Sequence, residues 1–308
     1  MGARFTIRPP ADYLLRRDAC SYGYFLLAPN VWDPQRGTMT RTLDPGEGPA
    51  TLTIAQDQSP GATLRIAADR AMTARERADA KRQVARMLRL DDDSVRRFHS
   101  LDRRWRRSGR GRLFRSPTLF EDVLKTVTSC NVTWPSTVFM NRRLCEVVNP
   151  AFPSPSQLAR RRPQTLRARC RVGYRDKRMI ELARLFASGD VDVERLEDAA
   201  TSDDDVMSAL LSLPGVGPYA AANVLQLLGR YSRLPVDSET IRHAKTALGF
   251  SGSESTIRKR VEAHYARFGD QRFRSYWFEL LRFYESKKGP SWTWSPREVG
   301  ASFTAANF

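Results

Sequence analysis

The stretch LPGVGPYAAANVL, from Leu213 to Leu225, breaks the helical pattern around it. Its first six residues hold two glycines and two prolines, and the rest is mostly small and apolar. Glycine lets the backbone turn with positive φ, and proline suits the first position of a helix, where its missing amide costs little. The stretch therefore predicts that one helix ends near Leu211 and a second begins at Pro218, with a tight turn between them.

The turn comprises Leu213, Pro214, Gly215, Val216 and Gly217. Its backbone amides and those at the start of the next helix point toward one spot, and such a spot suits an anion, above all a phosphate. The alternative interpretation is an ordinary tight connection between two helices. From the turn alone, both interpretations stay open.

The charge of the chain favours a polyanionic partner. The 308 residues hold 51 Lys+Arg against 34 Asp+Glu, a net charge of +17 that comes mostly from arginine. Such a field attracts nucleic acid or an acidic membrane surface. No window of 18 residues is wholly apolar, and the N-terminus lacks the apolar core of a secretory signal. We therefore expect neither a transmembrane helix nor secretion.

The four cysteines are too widely spaced for a zinc or iron–sulfur site. We therefore expect reduced thiols in an intracellular protein, located in the cytoplasm and nucleoid or in a nucleus. The residues concerned are Cys20, Cys130, Cys145 and Cys170.

The chain is predicted to be mainly α with an N-terminal antiparallel β domain. Residues 1–72 would form the β-rich domain, 73–290 a helical domain and 291–308 a C-terminal tail. Apolar alternation between Gly/Pro turns predicts a meander of strands. These strands are Ser21–Leu27, Thr38–Leu43, Ala50–Ala55 and Thr63–Ile66. A helical period predicts helices that follow Thr73 and Ser94 and that cover Thr118–Cys130, Pro135–Val148, Arg175–Ser188, Ser202–Leu211, Pro218–Leu228, Ser238–Leu248, Ser255–Phe268 and Phe273–Tyr284.

An aspartate stands before one of these helices, twenty residues after Gly217. It is Asp237, in the sequence Pro235-Val236-Asp237-Ser238. Aspartate at such a place caps a helix by accepting hydrogen bonds from first-turn amides. It can equally be a carboxylate aimed from a helix start into a cleft.

LPGVGPYAA followed by PVD at this spacing resembles the helix-hairpin-helix DNA glycosylase superfamily. Ser129-Cys130-Asn131, continuing to Met140 and Arg143-Leu144-Cys145, resembles its 8-oxoguanine branch, as does Val172-Gly173-Tyr174-Arg175. That branch and the alkylbase glycosylases carry a small antiparallel sheet domain where this chain is β-rich. The resemblance spans most of residues 1–285 and implies the helix-hairpin-helix glycosylase fold, with base-excision repair of duplex DNA as the activity.

The resemblance also implies roles for particular residues. Asp237 would stabilise the oxocarbenium-like sugar and orient water while the N-glycosidic bond is hydrolysed. The damaged base must be flipped out of the duplex. The wedge that fills its place would be Asn131, together with Tyr174 and Arg175, which would contact the opposite strand. The structural alternatives are a helix C-cap for Asn131 and a core aromatic for Tyr174.

A base pocket is implied at the last helix. Phe283 would stack on the base and Glu279 would read its edge, with Trp134, close to Asn131, as another stacking surface. The alternative is an amphipathic helix that packs its aromatic residues into the core. His243 is expected to be a surface histidine, with a phosphate contact as its functional alternative.

One departure from the family pattern concerns Tyr219, two residues after Gly217. Bifunctional members carry a lysine at this position, and tyrosine cannot form the Schiff base that lysine forms with the sugar. Base release without AP-lyase activity is therefore predicted. The competing hypothesis is that Lys125 or Lys177 reaches the sugar from a neighbouring helix.

Alternatives to a glycosylase for oxidised or alkylated bases stay open. One is a mismatch thymine or uracil glycosylase, since some of these enzymes also place tyrosine at the lysine position. Another is a non-catalytic DNA-binding protein that keeps the hairpin. Double-stranded DNA is the expected partner of a monomer. No metal site and no required cofactor are expected, and a monovalent cation at the hairpin is the one ion considered.

Overall fold

The computed structural model describes residues 2–295, so that residues 296–308 of the predicted tail lie outside it. Within the described residues, five strands form one sheet. They are β1 (Arg4–Ile7), β2 (Asn30–Asp33), β3 (Thr38–Leu43), β4 (Ala50–Ala55) and β5 (Leu64–Ala68). The α-helices are α1 (Leu15–Ala19), α2 (Ala74–Met87), α3 (Val95–Leu101), α4 (Leu119–Ser129), α5 (Trp134–Val147), α6 (Pro155–Ala159), α7 (Pro163–Thr165), α8 (Asp176–Ser188), α9 (Val193–Glu197), α10 (Asp203–Leu211), α11 (Pro218–Leu227), α12 (Ser238–Thr246), α13 (Glu254–Ala266) and α14 (Arg272–Lys288).

The sheet is antiparallel in the order β1-β5-β4-β3-β2. Strands β2 to β5 form a meander, of which the sequence predicts β3, β4 and β5, and β1 pairs with the outer edge of β5. Buried and exposed residues alternate along β3, β4 and β5, which gives the sheet one core face that includes Leu52 and Ile54. The strands predicted at Thr38–Leu43, Ala50–Ala55 and Thr63–Ile66 are confirmed.

The strand predicted at Ser21–Leu27 is wrong. Gly23–Leu26 forms a 3-10 helix, in which Tyr24, Phe25 and Leu26 are all buried. A continuous apolar run that is buried on every side lacks the period of two that separates a strand from a helical turn. The first strand of the meander is instead β2, which the sequence pattern does not predict.

The predicted helices are present. Helix α2 begins with the predicted capping box, in which the Thr73 hydroxyl accepts from Glu76 N at 3.2 Å and the Glu76 carboxylate accepts from Thr73 N at 2.8 Å. The ends agree within one or two residues, except that α14 continues past Tyr284 to Lys288. Short helices such as α1, α6 and α9 are not predicted, because five residues are too few for a periodic signal.

The described chain forms two compact units. The sheet unit comprises the residues up to Asp91, Arg112–Val191 and the described residues from Ser291, and it holds the sheet with α1, α2 and α4 to α8. The hairpin unit comprises Asp92–Gly111 and Asp192–Pro290, and it holds α3 and α9 to α14.

The secondary structure changes near the predicted boundary at residue 72, since β5 ends at Ala68 and α2 begins at Ala74. Helices α2 and α4 to α8 nevertheless belong to the same compact unit as the sheet. The division into segments 1–72, 73–290 and 291–308 stays a prediction.

Helix α11 lies at the core of the hairpin unit. It is buried from Ala220 to its end, and the small residues Ala221 and Ala222 let α10 pack closely against it. This packing fixes the position of the turn that precedes α11. None of the helices within residues 2–295 combines the length and the apolar character needed to cross a membrane. The four cysteines are free thiols, as the sequence predicts.

Candidate active site

The turn between α10 and α11 has the predicted tight form. Gly215 adopts a φ of 79°, in the left-handed region that favours glycine, and Val216 N donates to Leu213 O at 3.1 Å. The side chains of Leu213 and Val216 are buried and anchor the turn, whereas Gly215 and Gly217 are exposed. Because the N-cap Gly217 has no side chain, the positive end of α11 presents backbone amides rather than a capping group.

Asp237 is the N-cap of α12 and belongs to the same unit as the turn. Its Oδ1 atom accepts hydrogen bonds from Thr240 N at 2.9 Å and from the Thr240 hydroxyl at 3.0 Å. The Thr240 hydroxyl lies 2.7 Å from the hydroxyl of the buried Tyr276. The capping interpretation is therefore confirmed, and the same geometry holds a carboxylate at the positive end of α12.

Tyr219 contacts this carboxylate. It lies in the first turn of α11, and its hydroxyl donates a hydrogen bond to Asp237. The structure therefore brings together two residues that the sequence analysis singles out from different helices. The group that contacts this aspartate from α11 is therefore a phenol.

The surroundings of Asp237 oppose its ionisation. Partial burial raises the pKa of Asp237 above its ordinary value of 3.8, and the Glu239 carboxylate raises it further. The hydrogen bonds from Thr240 and Tyr219 favour the charged form but do not outweigh burial. A partly desolvated carboxyl group held by hydrogen bonds is typical of catalytic acids and bases.

Glu239 and Tyr284 are two further polar residues at this site, and neither is predicted from the sequence. The Tyr284 hydroxyl donates to the Glu239 carboxylate, which also accepts from Arg242 Nε at 2.9 Å and Nη2 at 2.7 Å. Burial opposes the charge on Glu239, but these hydrogen bonds outweigh it and hold its pKa below the ordinary value. An acidic residue in the first turn of a helix is so common that the sequence offers no signal for this role.

The predicted base-pocket residues Glu279 and Phe283 line another cavity of the hairpin unit. This cavity has a volume of about 520 Å³, and Asp237 is not among the described residues that line it. Burial opposes the charge on Glu279, but contacts with His243 and Arg104 outweigh it and lower the pKa of Glu279 to about 2. The structure therefore commits Glu279 to an ion pair and does not bring it into a common pocket with Asp237.

His243 is buried, contrary to the expectation of a surface histidine. Its ring packs edge-on against Phe283 and Tyr276, with centroid separations of 5.4 and 6.4 Å. Its Nε2 atom lies 3.6 Å from Glu279 Oε1. His243 comes one helical turn after the buried Thr240, and therefore lies on the same inward face of α12.

The loop between α4 and α5 carries the first of the predicted wedge residues, in the sheet unit. Asn131 is exposed and has a φ of 53°, a left-handed conformation that asparagine adopts more readily than most residues. The neighbouring Val132 is 36% exposed although it is apolar, and the sequence analysis does not single it out. Trp134 is half-buried, and a Cβ placed on Gly23 would lie 3.2 Å from its ring. The exposed tip of the loop is therefore formed by Asn131 and Val132.

Tyr174 is 56% exposed, which excludes the core-aromatic interpretation. The guanidinium of Arg175 lies 4.5 Å from the centre of its ring. Arg175 itself is buried, and it donates from Nε to Val127 O at 3.0 Å and from Nη2 to Cys130 O. The expected contact between Arg175 and an opposite strand is therefore corrected: Arg175 binds carbonyls at the end of α4 and supports Tyr174 and the Asn131 loop.

The two lysines of the competing hypothesis lie in the sheet unit. Lys125 is fully buried, and its Nζ lies 2.7 Å from Glu121, which also accepts from Arg41 at 2.6 Å. It is therefore an internal ion-pair partner. Lys177 is exposed in the first turn of α8. Within residues 2–295, no group of three or more His, Cys, Asp or Glu residues could hold a metal ion.

This chain combines an antiparallel sheet in one unit with a glycine-rich turn between α10 and α11 and an aspartate at the start of α12 in the other. Solved structures of DNA glycosylases share its fold. The chain has the fold of the helix-hairpin-helix DNA glycosylases.

Three solved structures illustrate the likeness. MBOgg1 in complex with a low-affinity DNA ligand shares 20% sequence identity at a TM-score of 0.68, with 97% of each chain covered. The 3-methyladenine DNA glycosylase from Archaeoglobus fulgidus shares 18% at a TM-score of 0.67, with 91% of this chain and 99% of that chain covered. The Clostridium acetobutylicum 8-oxoguanine glycosylase/lyase, in complex with double-stranded DNA containing cytosine opposite to 8-oxoG, shares 16% at a TM-score of 0.66, covering 92% of this chain and 98% of that chain. No protein-family model matches the sequence, and neither does any curated protein.

Proposed function

We propose that this protein is a DNA glycosylase that releases a damaged, flipped-out base from duplex DNA by hydrolysis and leaves the strand intact. The observation that carries the proposal is the Asp237 carboxylate, which Thr240 and Tyr219 hold at the start of α12. The fold shared with glycosylases for oxidised and alkylated bases supports it. A protein that acts on genomic DNA works inside the cell, and duplex DNA is its partner.

The chemistry follows from what the carboxylate can do. When the bond between C1′ and the base nitrogen breaks, positive charge develops on the sugar, and a fixed carboxylate stabilises this charge most in a site with little water. The same group can orient a water molecule toward C1′ and accept its proton. The water oxygen becomes bonded to C1′ and the base leaves with its electron pair and a proton.

The phenol at position 219 limits the reaction to this step. Strand cleavage by β-elimination needs an amine that first forms a Schiff base with the sugar, and a tyrosine cannot supply it. The Tyr219 hydroxyl instead hydrogen-bonds Asp237 and favours its charged form. We therefore propose a monofunctional enzyme whose product is an abasic strand.

A non-catalytic DNA-binding protein is disfavoured by the same observation. A half-buried carboxylate that contacts the first turn of α11 through Tyr219 would repel the phosphates that such a protein has to bind. Capping α12 does not require this charge, since a neutral asparagine caps a helix equally well. Tyr219 keeps a mismatch thymine or uracil glycosylase as the second candidate, and the lesion panel below separates the two.

The test is a panel of duplexes that each carry one lesion. The panel includes 8-oxoguanine, 3-methyladenine and thymine or uracil opposite guanine. We expect release of an oxidised or alkylated base, seen as strand breaks that appear only after hot alkali. Release of mismatched thymine or uracil alone would support the second candidate. Binding to every duplex without any alkali-labile product would contradict the proposed activity.

A further inference from the structure

A second cavity lies in the sheet unit, and four of its six lining residues are arginines. It has a volume of about 360 Å³ and lies between α5 and the π-helical turn Leu166–Cys170. We call it the arginine pocket, and its lining residues are Phe139, Arg142, Arg143, Ala168, Arg169 and Arg171. None of these residues belongs to the candidate active site, and the sequence analysis assigns them no role.

The backbone of the arginine pocket is fixed by contacts between its two walls. Arg143 Nε donates to Arg169 O at 2.8 Å, and the Cys170 thiol lies 3.7 Å from Arg143 O. The π-helical turn that supplies the second wall is a rare conformation, and such turns are frequently found at functional sites. The guanidinium groups of Arg142 and Arg171 lie 5.4 and 5.9 Å from the centre of the Phe139 ring, which orients both.

The positive charge of the pocket is only partly balanced. Among residues 2–295, Glu146 is the carboxylate that pairs there, with Arg142 at 3.5 Å and Arg143 at 2.6 Å. In the part of the chain that the structure describes, Arg169 and Arg171 form no ion pair, and both are exposed. Four guanidinium groups around one cavity repel each other unless an anion joins them. Guanidinium groups match the oxygens of a phosphate in pairs.

The backbone conformation of Arg171 also favours a functional role for the arginine pocket. Its φ is 54°, in the left-handed region, where glycine costs nothing and a residue with a long side chain is strained. Two residues later, Gly173 occupies the same region at φ 60°. Arg171 is the C-cap of the π-helical turn, and residues held in such a conformation cluster at functional sites.

We propose that the arginine pocket binds a backbone phosphate of DNA next to the point where Tyr174 enters the duplex. Arg171 precedes Tyr174 by three residues, which span at most roughly 10 Å of chain. At a rise of about 3.4 Å per nucleotide, this is a distance of about three nucleotides along one strand. A phosphate held there fixes the strand while the exposed tyrosine separates the bases. The inference rests on the proposed action on duplex DNA and on the predicted insertion of the exposed Tyr174.

The test measures how the affinity for DNA depends on single phosphates, with and without the arginines of the pocket. In a duplex with a tetrahydrofuran abasic analogue, each phosphate within three nucleotides of the analogue is replaced in turn by a neutral methylphosphonate. The affinity of the wild type for the duplex should fall about tenfold when the replaced phosphate is the one that the pocket holds, as expected for the loss of a charge-assisted hydrogen bond. In the double variant Arg169→Gln/Arg171→Asn, the same replacement should cost less than about twofold, since the two arginines that form no ion pair with Glu146 are already gone. Asparagine is chosen because it tolerates the left-handed conformation of Arg171.

The matched control is Arg4→Gln/Arg8→Gln, which removes the same charge from two exposed arginines of the sheet unit. It should keep the full methylphosphonate effect at every position. The double variant should also lower the slope of log affinity against log salt by about 0.9, the value for one phosphate, while the control should not.

Two outcomes would overturn the inference. One is that every methylphosphonate costs the wild type and the double variant the same. The other is that inorganic phosphate stabilises the wild type but not the double variant while no coupling to DNA is seen, which would assign the pocket to a free anion. Binding to the abasic analogue does not require catalysis. If the double variant loses the methylphosphonate effect but no base is released from any lesion, only the proposed function is contradicted. If a base is released but the double variant keeps the methylphosphonate effect, only the proposed role of the arginine pocket is contradicted.

Discussion

The hydrogen bond between Tyr219 and Asp237 gives a direct test of the site. The substitution Tyr219→Phe removes one hydroxyl and keeps the ring. The Asp237 carboxylate then loses one of its three hydrogen bonds, the other two coming from the amide and the hydroxyl of Thr240. Because each of these bonds favours the charged form, the pKa of Asp237 should rise further above its ordinary value.

The size of the effect follows from the exposure of the site. A hydrogen bond to a charged group contributes about 1.5 to 3 kcal/mol. Asp237 is only half-buried, so that water replaces part of the lost bond and the lower end of this range applies. About 1.4 kcal/mol corresponds to tenfold in an equilibrium. At a given pH on the acid side of the profile, where the rate follows the ionised fraction, base release should therefore fall about tenfold. Well above the acid limb the rate should change little.

The assay is single-turnover base release as a function of pH, on the lesion that the panel identifies. Tyr219→Phe should move the acid limb of the pH–rate profile, where the rate rises with the ionised fraction of Asp237, to higher pH. Tyr265→Phe is the matched control, because it removes a buried hydroxyl of the same unit that binds Glu279 at 3.0 Å and not Asp237. Its acid limb should coincide with that of the wild type. A Tyr219→Phe acid limb at the wild-type position, whatever the plateau, would refute the reasoning.

A second substitution should move the same limb in the opposite direction. Glu239 raises the pKa of Asp237 by charge repulsion, so that Glu239→Gln should lower it and shift the acid limb to lower pH. Glutamine can still accept the hydrogen bond from Tyr284. If Tyr219→Phe and Glu239→Gln shift the acid limb of the pH–rate profile in opposite directions, a general loss of structure is excluded as the cause.

The remaining predictions concern the carboxylate, the charge of the surface and the missing amine. Asp237→Asn should abolish base release and preserve duplex binding. In the wild type, the pKa of Asp237 is higher in the folded protein than in the unfolded chain, so its ionisation lowers the free energy of unfolding at neutral pH. The variant should therefore melt no lower than the wild type at pH 7. Any gain in melting temperature should vanish below about pH 4, where both the folded and the unfolded wild type hold the proton. Affinity for duplex DNA should fall steeply with salt, by about 0.9 in the log–log slope for each phosphate contacted, and a slope near zero would contradict a charge-driven interface. Borohydride should trap no adduct with the wild type, whereas Tyr219→Lys should create trapping; efficient trapping by the wild type would identify another amine, such as Lys177, as a nucleophile.

The helices and most of the sheet could be predicted because each has a local signal. The capping box at Thr73 and Glu76, and the glycine and proline at the start of α11, are interactions between residues three or fewer positions apart. The 3-10 helix at Gly23–Leu26 could not be separated from a strand, because burial on all sides removes the periodic signal. Strand β1 is recognised only through its pairing with β5, some sixty residues away, and no local pattern carries that information.

The site could be predicted in its residue types but not in its side-chain directions. Tyr174 and Arg175 are neighbours in sequence, yet one is exposed and the other is buried against carbonyls of α4. The charge of Glu279 would suit a base pocket. In the folded protein, however, Arg104 from a distant segment forms an ion pair with Glu279. Such outcomes depend on which partner a side chain meets after folding, and spacing along the chain does not determine this.

The two carboxylates at the start of α12 show why Asp237 is the residue assigned to the chemistry. They are two positions apart, and their environments shift their pKa values in opposite directions. Glu239 is held in its charged form by Arg242 and Tyr284, so its oxygens are already engaged and it would have little capacity to accept a proton. Within residues 2–295, the main influences on the pKa of Asp237 are burial, Thr240, Glu239 and Tyr219, and no cation is among them. Carboxyl groups whose environments separate their pKa values divide structural and catalytic roles between them. A cation that develops on a bound sugar would supply the opposite charge that Asp237 lacks, and the carboxylate would stabilise that transition state more than the neutral substrate.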